Sequence, residues 1–345
     1  FCIFGRNWIM SKKIENIEIY QKLVDSIGFT IERARQRAVQ AVNNELLKAN
    51  WEIGKYIVDY EQHGNEKAEY GSSLLTNLSY DLKSRFGKGF SKSNIYLMRQ
   101  FYLKYQIFQS LTGKLTWTHY AELLGVSDDH ARGFYEKQAV HENWSVRELK
   151  RQISSSLFER LALSKDKSGI LRLSVKGLIV SEPKDIVRDP YVLEFLQIPE
   201  EYRMTESRLE HKIIDHLQKF LLELGKGFSF VGRQYRIALD NDHFYVDLVF
   251  YHRILKCFVL IDLKTKKVKH QDIGQMNMYL NYFKSEENNR GDNPPIGMVL
   301  GADKNDIMVE YAIGGISNNI FVSKYQLYLP DKKVLEQKVK ELMYR

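Results

Sequence analysis

The stretch FYVDLVFYHRILKCFVLIDLK, residues 244–264, decides the fold of this chain. It contains two runs of apolar, β-branched and aromatic residues, Phe244–Tyr251 and Cys257–Lys264, with a short polar break between them. Runs of this length and composition are typical of β-strands. The sequence therefore predicts two consecutive strands, which can pair as a hairpin across the break.

Three charged residues interrupt these apolar runs: Asp247, Asp262 and Lys264. Residues two apart in a strand share a face, so Asp262 and Lys264 are expected to point the same way. If the strands pair, Asp247 can lie beside Asp262. Burial of two carboxylates and an ammonium costs free energy unless the groups pair or serve a function. A structural ion pair and a catalytic site are both compatible with this pattern.

Two aspartates with a lysine beside them are suitable groups for phosphodiester hydrolysis. Mg²⁺ prefers carboxylate oxygens, lowers the pKa of a bound water and stabilises negative charge on a phosphate. Lys264 can orient the attacking water or stabilise the developing charge. The backbone carbonyl of Leu263 and the carboxylate of Glu210, on the helix before the strands, are further candidate metal ligands. A metal would also relieve repulsion between carboxylates that share one site.

The composition is that of a globular protein with a preference for polyanions. The 345 residues suit two ordinary domains or one large one, and 44% of them are hydrophobic and 27% charged. A net charge of +8 favours binding to phosphates, although a basic protein without such a partner fits equally well. The 21 tyrosines and 18 phenylalanines slightly favour nucleic acid, because aromatic rings can stack on bases.

Cysteine usage predicts a protein of the reducing cytoplasm. The sequence contains only Cys2 and Cys257, which make no disulfide framework, and no Cys/His cluster has zinc spacing. No apolar run is long enough to cross a bilayer. The first ten residues include Arg6 and Asn7 and no small-residue cleavage site follows, so we expect no signal peptide. Met10 is a candidate translation start.

The first part of the chain, 14–165, is predicted to be a helical domain that binds DNA or a protein partner. Gly87-Lys88-Gly89 predicts a helix stop, after which Ser91 is expected to cap a helix over Lys92–Tyr105. Two helices joined by a tight glycine turn resemble a helix-turn-helix, although an ordinary helical hairpin is commoner. The candidate DNA-binding residues on the second helix are Lys92, Asn94 and Arg99. Farther on, the S-x-x-E box of Ser145 predicts one helix over Ser145–Leu161.

The second part has the element order of an α/β domain, 201–345, after a linker over 166–200 that Pro183, Pro190 and Pro199 punctuate. Its predicted elements are a helix (Thr205–Leu224), a strand (Phe228–Leu239), the two strands described above, a helix (Asp272–Phe283) opened by a capping box of Asp272 and Gln275, strands at Ile296–Leu300, Ile307–Ala312 and Ile320–Leu329, and a terminal helix (Asp331–Tyr344).

The order VD…DLK resembles the signature of the PD-(D/E)XK nuclease superfamily, and a wider set of motifs resembles its YhcG-like nucleases. These motifs are ANWEIG (Ala49–Gly54), FGKGFSKSN (Phe86–Asn94), LTWTHY (Leu115–Tyr120), WSVRELKRQI (Trp144–Ile153), FLLELGKGFSFVGRQ (Phe220–Gln234), DLVFYH (Asp247–His252) and GQMNMYL (Gly274–Leu280). The resemblance extends from about Ile14 to Tyr344. It implies an all-α N-terminal domain of helix-turn-helix or winged-helix-like character and a C-terminal nuclease fold with a mixed central sheet.

The resemblance also implies the roles of the site residues. Asp247 and Asp262 correspond to the metal ligands, Lys264 to the catalytic lysine and Glu210 to the helix carboxylate. Gln275 corresponds to the polar residue on the following helix. Two positions depart from the signature: Val246 stands where its name has proline, and Asp262 stands where many relatives have Glu. Both departures leave the expected chemistry in place.

The activity implied is that of a DNA endonuclease that uses Mg²⁺, with Mn²⁺ as a possible substitute, in defence against foreign DNA or in association with a restriction-modification subunit. Candidate DNA contacts near the site are Gln234, Lys266, Lys267 and Lys269. Cutting of both strands would favour a homodimer, since one active site cuts one strand. Two alternatives stay open: a DNA-binding or partner-recruiting protein whose nuclease fold does not cut, and a nuclease specific for junctions or RNA.

Overall fold

The computed structural model describes residues 3–63, 68–107, 113–163, 165–199, 205–239, 241–316 and 318–344. The chain divides into two compact units, one ending at Gly125 and the other beginning at Val126. Helices make up the first unit, and the second combines helices with a sheet of six strands. The predicted fold class, N-terminal helices followed by a mixed α/β fold, is confirmed. Across the described ranges, no helix combines the length and apolarity that a membrane crossing needs.

The described part of the first unit contains four helices: α1 (Ile3–His63), α2 (Ala68–Phe86), α3 (Lys92–Lys104) and α4 (Trp117–Leu124). Every regular element in its described part is a helix. The turn between α2 and α3 is the one that the glycines predict, because Gly87 and Gly89 both have positive φ angles. The Ser91 hydroxyl caps α3 by accepting a 3.1 Å hydrogen bond from the backbone N–H of Asn94. The helix–turn–helix connection therefore forms as the sequence predicts.

The second unit begins with helices α5 (Asp129–Glu142), α6 (Val146–Ser154) and α7 (Leu157–Ala162). The single helix predicted over Ser145–Leu161 is wrong, because Ser156 has a φ of 52° and this left-handed residue separates α6 from α7. The predicted start is confirmed: the Ser145 hydroxyl accepts a 3.2 Å hydrogen bond from the N–H of Glu148.

The stretch predicted as a linker, 166–200, is folded in its described part. It contains helix α8 (Lys167–Lys176) and strand β1 (Tyr191–Val192), which pairs in parallel with the last strand of the sheet. Tyr191 and Val192 are fully buried. Apolar side chains of this size bring the segment into the core, and the prolines only shape its turns. This segment belongs to the second compact unit, which begins at Val126.

The remaining elements are helices α9 (Glu206–Asp215), α10 (Leu217–Leu224), α11 (His270–Tyr282), α12 (Asp306–Ile313) and α13 (Lys332–Tyr344), and strands β2 (Phe228–Leu239), β3 (Asp242–His252), β4 (Cys257–Lys267), β5 (Ile296–Asp303) and β6 (Asn319–Gln326). The sheet order is β1-β6-β5-β4-β3-β2. The pairs β2–β3 and β3–β4 are antiparallel, and β4–β5, β5–β6 and β1–β6 are parallel. The predicted mixed sheet and the β3–β4 hairpin are confirmed.

Two predicted details of this unit are wrong. Residues Ile307–Ala312 form part of α12 rather than a strand, because Asn305 caps the helix by accepting a hydrogen bond from the N–H of Met308. Helix α11 begins at His270, and Asp272 accepts a 2.7 Å hydrogen bond from the N–H of Lys269. Asp272 therefore supports the first turn from within the helix rather than capping it together with Gln275.

Helices cover both faces of the sheet. On one face, Leu209 and Phe220 of α9 and α10 join the core cluster that contains Phe250 and Ile261. On the other face, Met276 of α11 and its neighbours pack against the opposite side chains of β3, β4 and β5. The ends of the central strands are therefore approached by α9 from one side and α11 from the other.

Candidate active site

Asp247 and Asp262 lie at the point where strands β3 and β4 separate. The antiparallel ladder between these strands ends at the pair Leu248–Ile261, and each residue of this pair is the chain neighbour of one of the two aspartates. Beyond it, the Oδ2 atom of Asp247 accepts a 2.7 Å hydrogen bond from the backbone N–H of Leu263. A side chain thus replaces the next ladder bond, which keeps the carboxylate of Asp247 beside β4.

Asp262 is buried and forms an ion pair with Lys264, with 2.7 Å between Oδ2 and Nζ. The prediction that these two side chains share one face of β4 is confirmed. Burial and, after it, repulsion from Asp247 raise the pKa of Asp262, attraction to Lys264 partly opposes both, and the resulting pKa is about 7. Burial alone would lower the pKa of Lys264, but attraction to Asp262 outweighs it and the pKa lies above its ordinary value. Lys264 therefore keeps its positive charge.

Glu210 on α9 and Gln234 on β2 complete this end of the sheet. The side-chain amide of Gln234 donates from Nε2 to Glu210 Oε2 at 2.6 Å and to Asp247 Oδ1 at 3.0 Å. Gln234 lies on β2 between the pairs Arg233–Leu248 and Tyr235–Val246, and it has a φ of 47°, an uncommon conformation for a residue other than glycine. Strained backbone of this kind occurs often at functional sites. Four elements, α9, β2, β3 and β4, thus bring their polar side chains together.

The donor set suits a hard divalent cation. Glu210 Oε1 is buried without a hydrogen-bond partner, although the other oxygen of the same carboxylate is bonded to Gln234. Asp247, Asp262 and the Leu263 carbonyl would supply the oxygen ligands that Mg²⁺ prefers. No three His, Cys, Asp or Glu side chains among the described residues are grouped closely enough to enclose a metal by themselves. Such an ion would therefore need the backbone carbonyl and water as additional ligands.

Gln275 contacts a tyrosine rather than the carboxylates. Its side-chain amide donates to the hydroxyl of Tyr279, one turn farther along α11, and that hydroxyl donates to the backbone oxygen of Tyr245 at 3.1 Å. Burial raises the pKa of Tyr279, and the charge of Asp262 raises it further. Gln275 and Tyr279 thus fix α11 against β3 next to the aspartates.

Two acidic residues near the site are not among the predicted site residues. Glu206, in the first turn of α9, accepts a 3.4 Å hydrogen bond from the N–H of Thr265, and both Glu206 and Asp272 add to the raised pKa of Lys264. The sequence predicts Asp272 only as a helix cap. The spacing of Glu206 and Asp272 from Lys264 along the chain does not predict that they are neighbours. Only the tertiary structure brings them near it.

The candidate DNA contacts differ in how they are held. Lys266, Lys267 and Lys269 are exposed at the end of β4 and before α11. In the first unit, Lys92 is exposed, whereas the Asn94 side chain donates to the Gly89 carbonyl and accepts a 3.0 Å hydrogen bond from Trp117. Arg99 pairs with Glu61 at 2.7 Å. The partly exposed side chains of Asn94 and Arg99 are therefore already engaged by groups of the protein itself.

A protein of Escherichia coli (strain K12), "Putative nuclease YhcG", is 41% identical to this chain over 348 residues. The match covers 92% of each sequence. The chain belongs to the YhcG family. A model described as "YhcG PDDEXK nuclease domain" matches residues 184–340 of this YhcG chain, and "DUF1016 N-terminal domain" matches residues 26–160. The family resemblance carried by the sequence motifs is confirmed, and the residues of the candidate site lie inside the nuclease-domain match.

Parts of this YhcG family member also resemble solved structures. One is a repair endonuclease from Pyrococcus abyssi, at 16% identity and a TM-score of 0.26, with 38% of this chain and 50% of that chain covered. Another is EndoMS in a complex titled EndoMS-dsDNA2, at 15% identity and a TM-score of 0.27, with 39% and 50% covered. The chain spans about half the length of these proteins.

Proposed function

We propose that this YhcG family member is a Mg²⁺-dependent endonuclease that hydrolyses phosphodiester bonds in DNA, with Mn²⁺ able to replace Mg²⁺. The observation that carries the proposal is the convergence of Asp247, Asp262 and Lys264 where β3 and β4 separate. Their membership in a PDDEXK nuclease domain supports it, because nucleases of this type generally depend on a divalent metal.

Each residue has a distinct role in the proposal. Mg²⁺ held by Asp247, Asp262 and the Leu263 carbonyl would neutralise phosphate charge and acidify a water. Lys264 keeps its proton beside Asp262 and so offers a fixed positive charge to the phosphate and a donor that orients the attacking water. Gln234 links Asp247 to Glu210 and holds both carboxylates in place. Positioning of this kind lowers the cost of reorganisation during reaction.

Positive charge near the site favours a nucleic acid as the substrate. Lys266, Lys267 and Lys269 are exposed next to the proposed catalytic lysine, and the whole chain carries a net charge of +8. Contacts of lysine with phosphate give affinity without reading the base sequence. In the helical unit we propose Lys92 as a contact, while Asn94 and Arg99 would first have to exchange their protein partners for DNA. As the family resemblance implies, we also propose a cytoplasmic role in defence, alone or with a restriction-modification subunit.

A cleavage assay tests the proposal. The purified full chain is incubated with supercoiled plasmid, linear duplex, branched DNA and RNA in the presence of Mg²⁺, Mn²⁺ or EDTA. We expect metal-dependent cutting of DNA, abolished by EDTA and reduced at least about 100-fold in Asp262→Asn. The matched control is Asp306→Asn, which changes an exposed aspartate of the same unit and should cut normally.

Other outcomes would change the conclusion. DNA cutting that persists in EDTA or in Asp262→Asn would contradict the metal site. DNA binding without cutting by the wild type would favour a recruiting protein with a non-cutting nuclease fold. Cutting confined to branched DNA or RNA would change the substrate while leaving the site in place.

A further inference from the structure

The N-terminal half of α1 exposes an apolar surface that no other described element of the first unit covers. Between residues 20 and 46, every side chain except those at Gly28 and Asn43 is exposed. The apolar residues Tyr20, Val24, Ile27 and Ile31 are between 42% and 67% exposed. Most helical stability in proteins comes from packing of an apolar face. We therefore expect a binding partner to cover this apolar face.

The apolar positions follow the heptad spacing of a coiled coil. They recur at alternating intervals of four and three residues, at Tyr20, Val24, Ile27, Ile31, Ala34, Ala38 and Ala41. This spacing corresponds to alternating d and a positions over more than three heptads, which is the length at which the pattern indicates a coiled coil. The surface is therefore suited to a second helix that lies along it.

The sizes of the side chains select an antiparallel partner of the same sequence. The larger residues occupy the first half of the seam and alanines the second half. In an antiparallel pair with its two-fold axis between Glu32 and Arg33, Ile31 faces Ala34, Ile27 faces Ala38 and Val24 faces Ala41. Each layer then holds one large and one small residue, whereas a parallel pair would place isoleucine on isoleucine and alanine on alanine. Alternation of large and small residues across a core gives even packing.

The charges beside the seam agree with this arrangement. Gly28 has open space where a Cβ atom would point. Asp25 lies three residues before Gly28, and Glu32 lies four residues after it. In the antiparallel pair, Arg35 of the second copy lies opposite Gly28, between these two carboxylates. In a parallel pair, Arg35 would lie opposite Thr30 instead. Charges at the flanking positions of a coiled coil set the orientation of its helices.

We propose that two copies of this chain associate through residues 20–46 of α1 as an antiparallel two-stranded coiled coil. At 1.5 Å per residue the paired segment is about 40 Å long. The contact is self-complementary, as a two-fold interface requires. The pairing does not depend on nuclease activity, but it would bring two nuclease domains into one particle, which suits cutting of both DNA strands.

The mass of the full chain in solution tests the association. Light scattering after size exclusion should give twice the chain mass of 40.6 kDa for the wild type and the single mass for Ile31→Glu. The matched control is Phe29→Glu, which places the same charge on the same helix but away from the seam and should remain dimeric. Both residues are exposed, so neither change should disturb folding. A monomeric wild type, or a dimer that Ile31→Glu leaves intact, would overturn the proposal.

Disulfide trapping tests the orientation. Two variants are made in a Cys2→Ser background, one with Ile27→Cys and one with Ala38→Cys. They carry different tags and are co-expressed. Cys257 is buried and is left unchanged. The antiparallel pair should form a disulfide between the two different chains and none in either variant expressed alone. A disulfide in Ile27→Cys alone would indicate parallel helices and overturn the antiparallel pairing.

Discussion

At the scale of single residues, the site depends on polar groups held in costly environments. Asp262 is buried with its pKa raised to about 7, and Gln234 adopts a left-handed backbone conformation inside a strand. Lys264 and the paired carboxylates offset part of this cost through direct contacts. A buried carboxylate with a raised pKa is a frequent mark of a functional site. These residues are therefore the ones at which substitutions should alter chemistry more than folding.

We expect the affinity for Mn²⁺ to rise with pH up to about 7 and then to level off. A metal ligand must be deprotonated, so below the raised pKa of Asp262 protons compete with the metal and weaken binding by up to about tenfold per pH unit. Isothermal titration across this range measures the midpoint. Lys264→Met should move the midpoint to higher pH, because Lys264 lowers the pKa of Asp262. An affinity that does not change with pH would contradict this account of Asp262.

At the scale of elements, local composition predicted the strands better than the breaks between helices. The β-branched and aromatic runs of β2, β3 and β4 are strands, as predicted. The short apolar run Ile307–Ala312 suited either a strand or a helix, and the cap at Asn305 together with its tertiary surroundings decided for a helix. Neither the break at Ser156 nor the folding of 166–200 into the sheet unit has a local signal. Both depend on long-range packing.

One such long-range contact is a buried ion network that the sequence analysis did not detect. The side chain of Glu223, on α10, is fully buried. Its carboxylate lies 2.8 Å from the guanidinium of Arg160 on α7, 3.1 Å from that of Arg151 on α6 and 3.6 Å from that of Arg188. Burial opposes the charge of Glu223, but the three guanidinium groups prevail and hold its pKa at about 2. The network therefore joins helices whose spacing along the chain gives no sign of contact.

We expect Glu223→Gln to destabilise the protein by about 3–5 kcal/mol, because it leaves buried arginines without a counter-charge. Since the folded-state pKa is lowered, the stabilisation by Glu223 is present above its ordinary pKa near 4.5 and lost as pH falls toward 2. Urea unfolding followed by circular dichroism at neutral pH measures the loss. The control Glu336→Gln, which breaks a more exposed pair on α13, should cost less than about 1 kcal/mol. Equal losses in both variants would contradict a structural role for the network.

At the scale of the whole molecule, much of the site could be predicted because its central residues lie close together in sequence. Asp247, Asp262 and Lys264 fall on consecutive strands, so strand pairing alone brings them near one another. Glu210 and Gln234 were named from the sequence, but the hydrogen bonds that join them to Asp247 depend on how α9 and β2 pack around the sheet. The contributions of Glu206 and Asp272 likewise arise only from the tertiary fold.

The most direct test of the proposed active site is the rate of plasmid cleavage by Lys264→Met beside that of Lys266→Met. Both changes remove one lysine charge from β4, but only Lys264 is paired with Asp262. We expect Lys264→Met to cut at least about 100-fold more slowly while still binding Mn²⁺, and Lys266→Met to stay within about tenfold of the wild type. Cleavage by Lys264→Met at the wild-type rate would contradict the proposed active site.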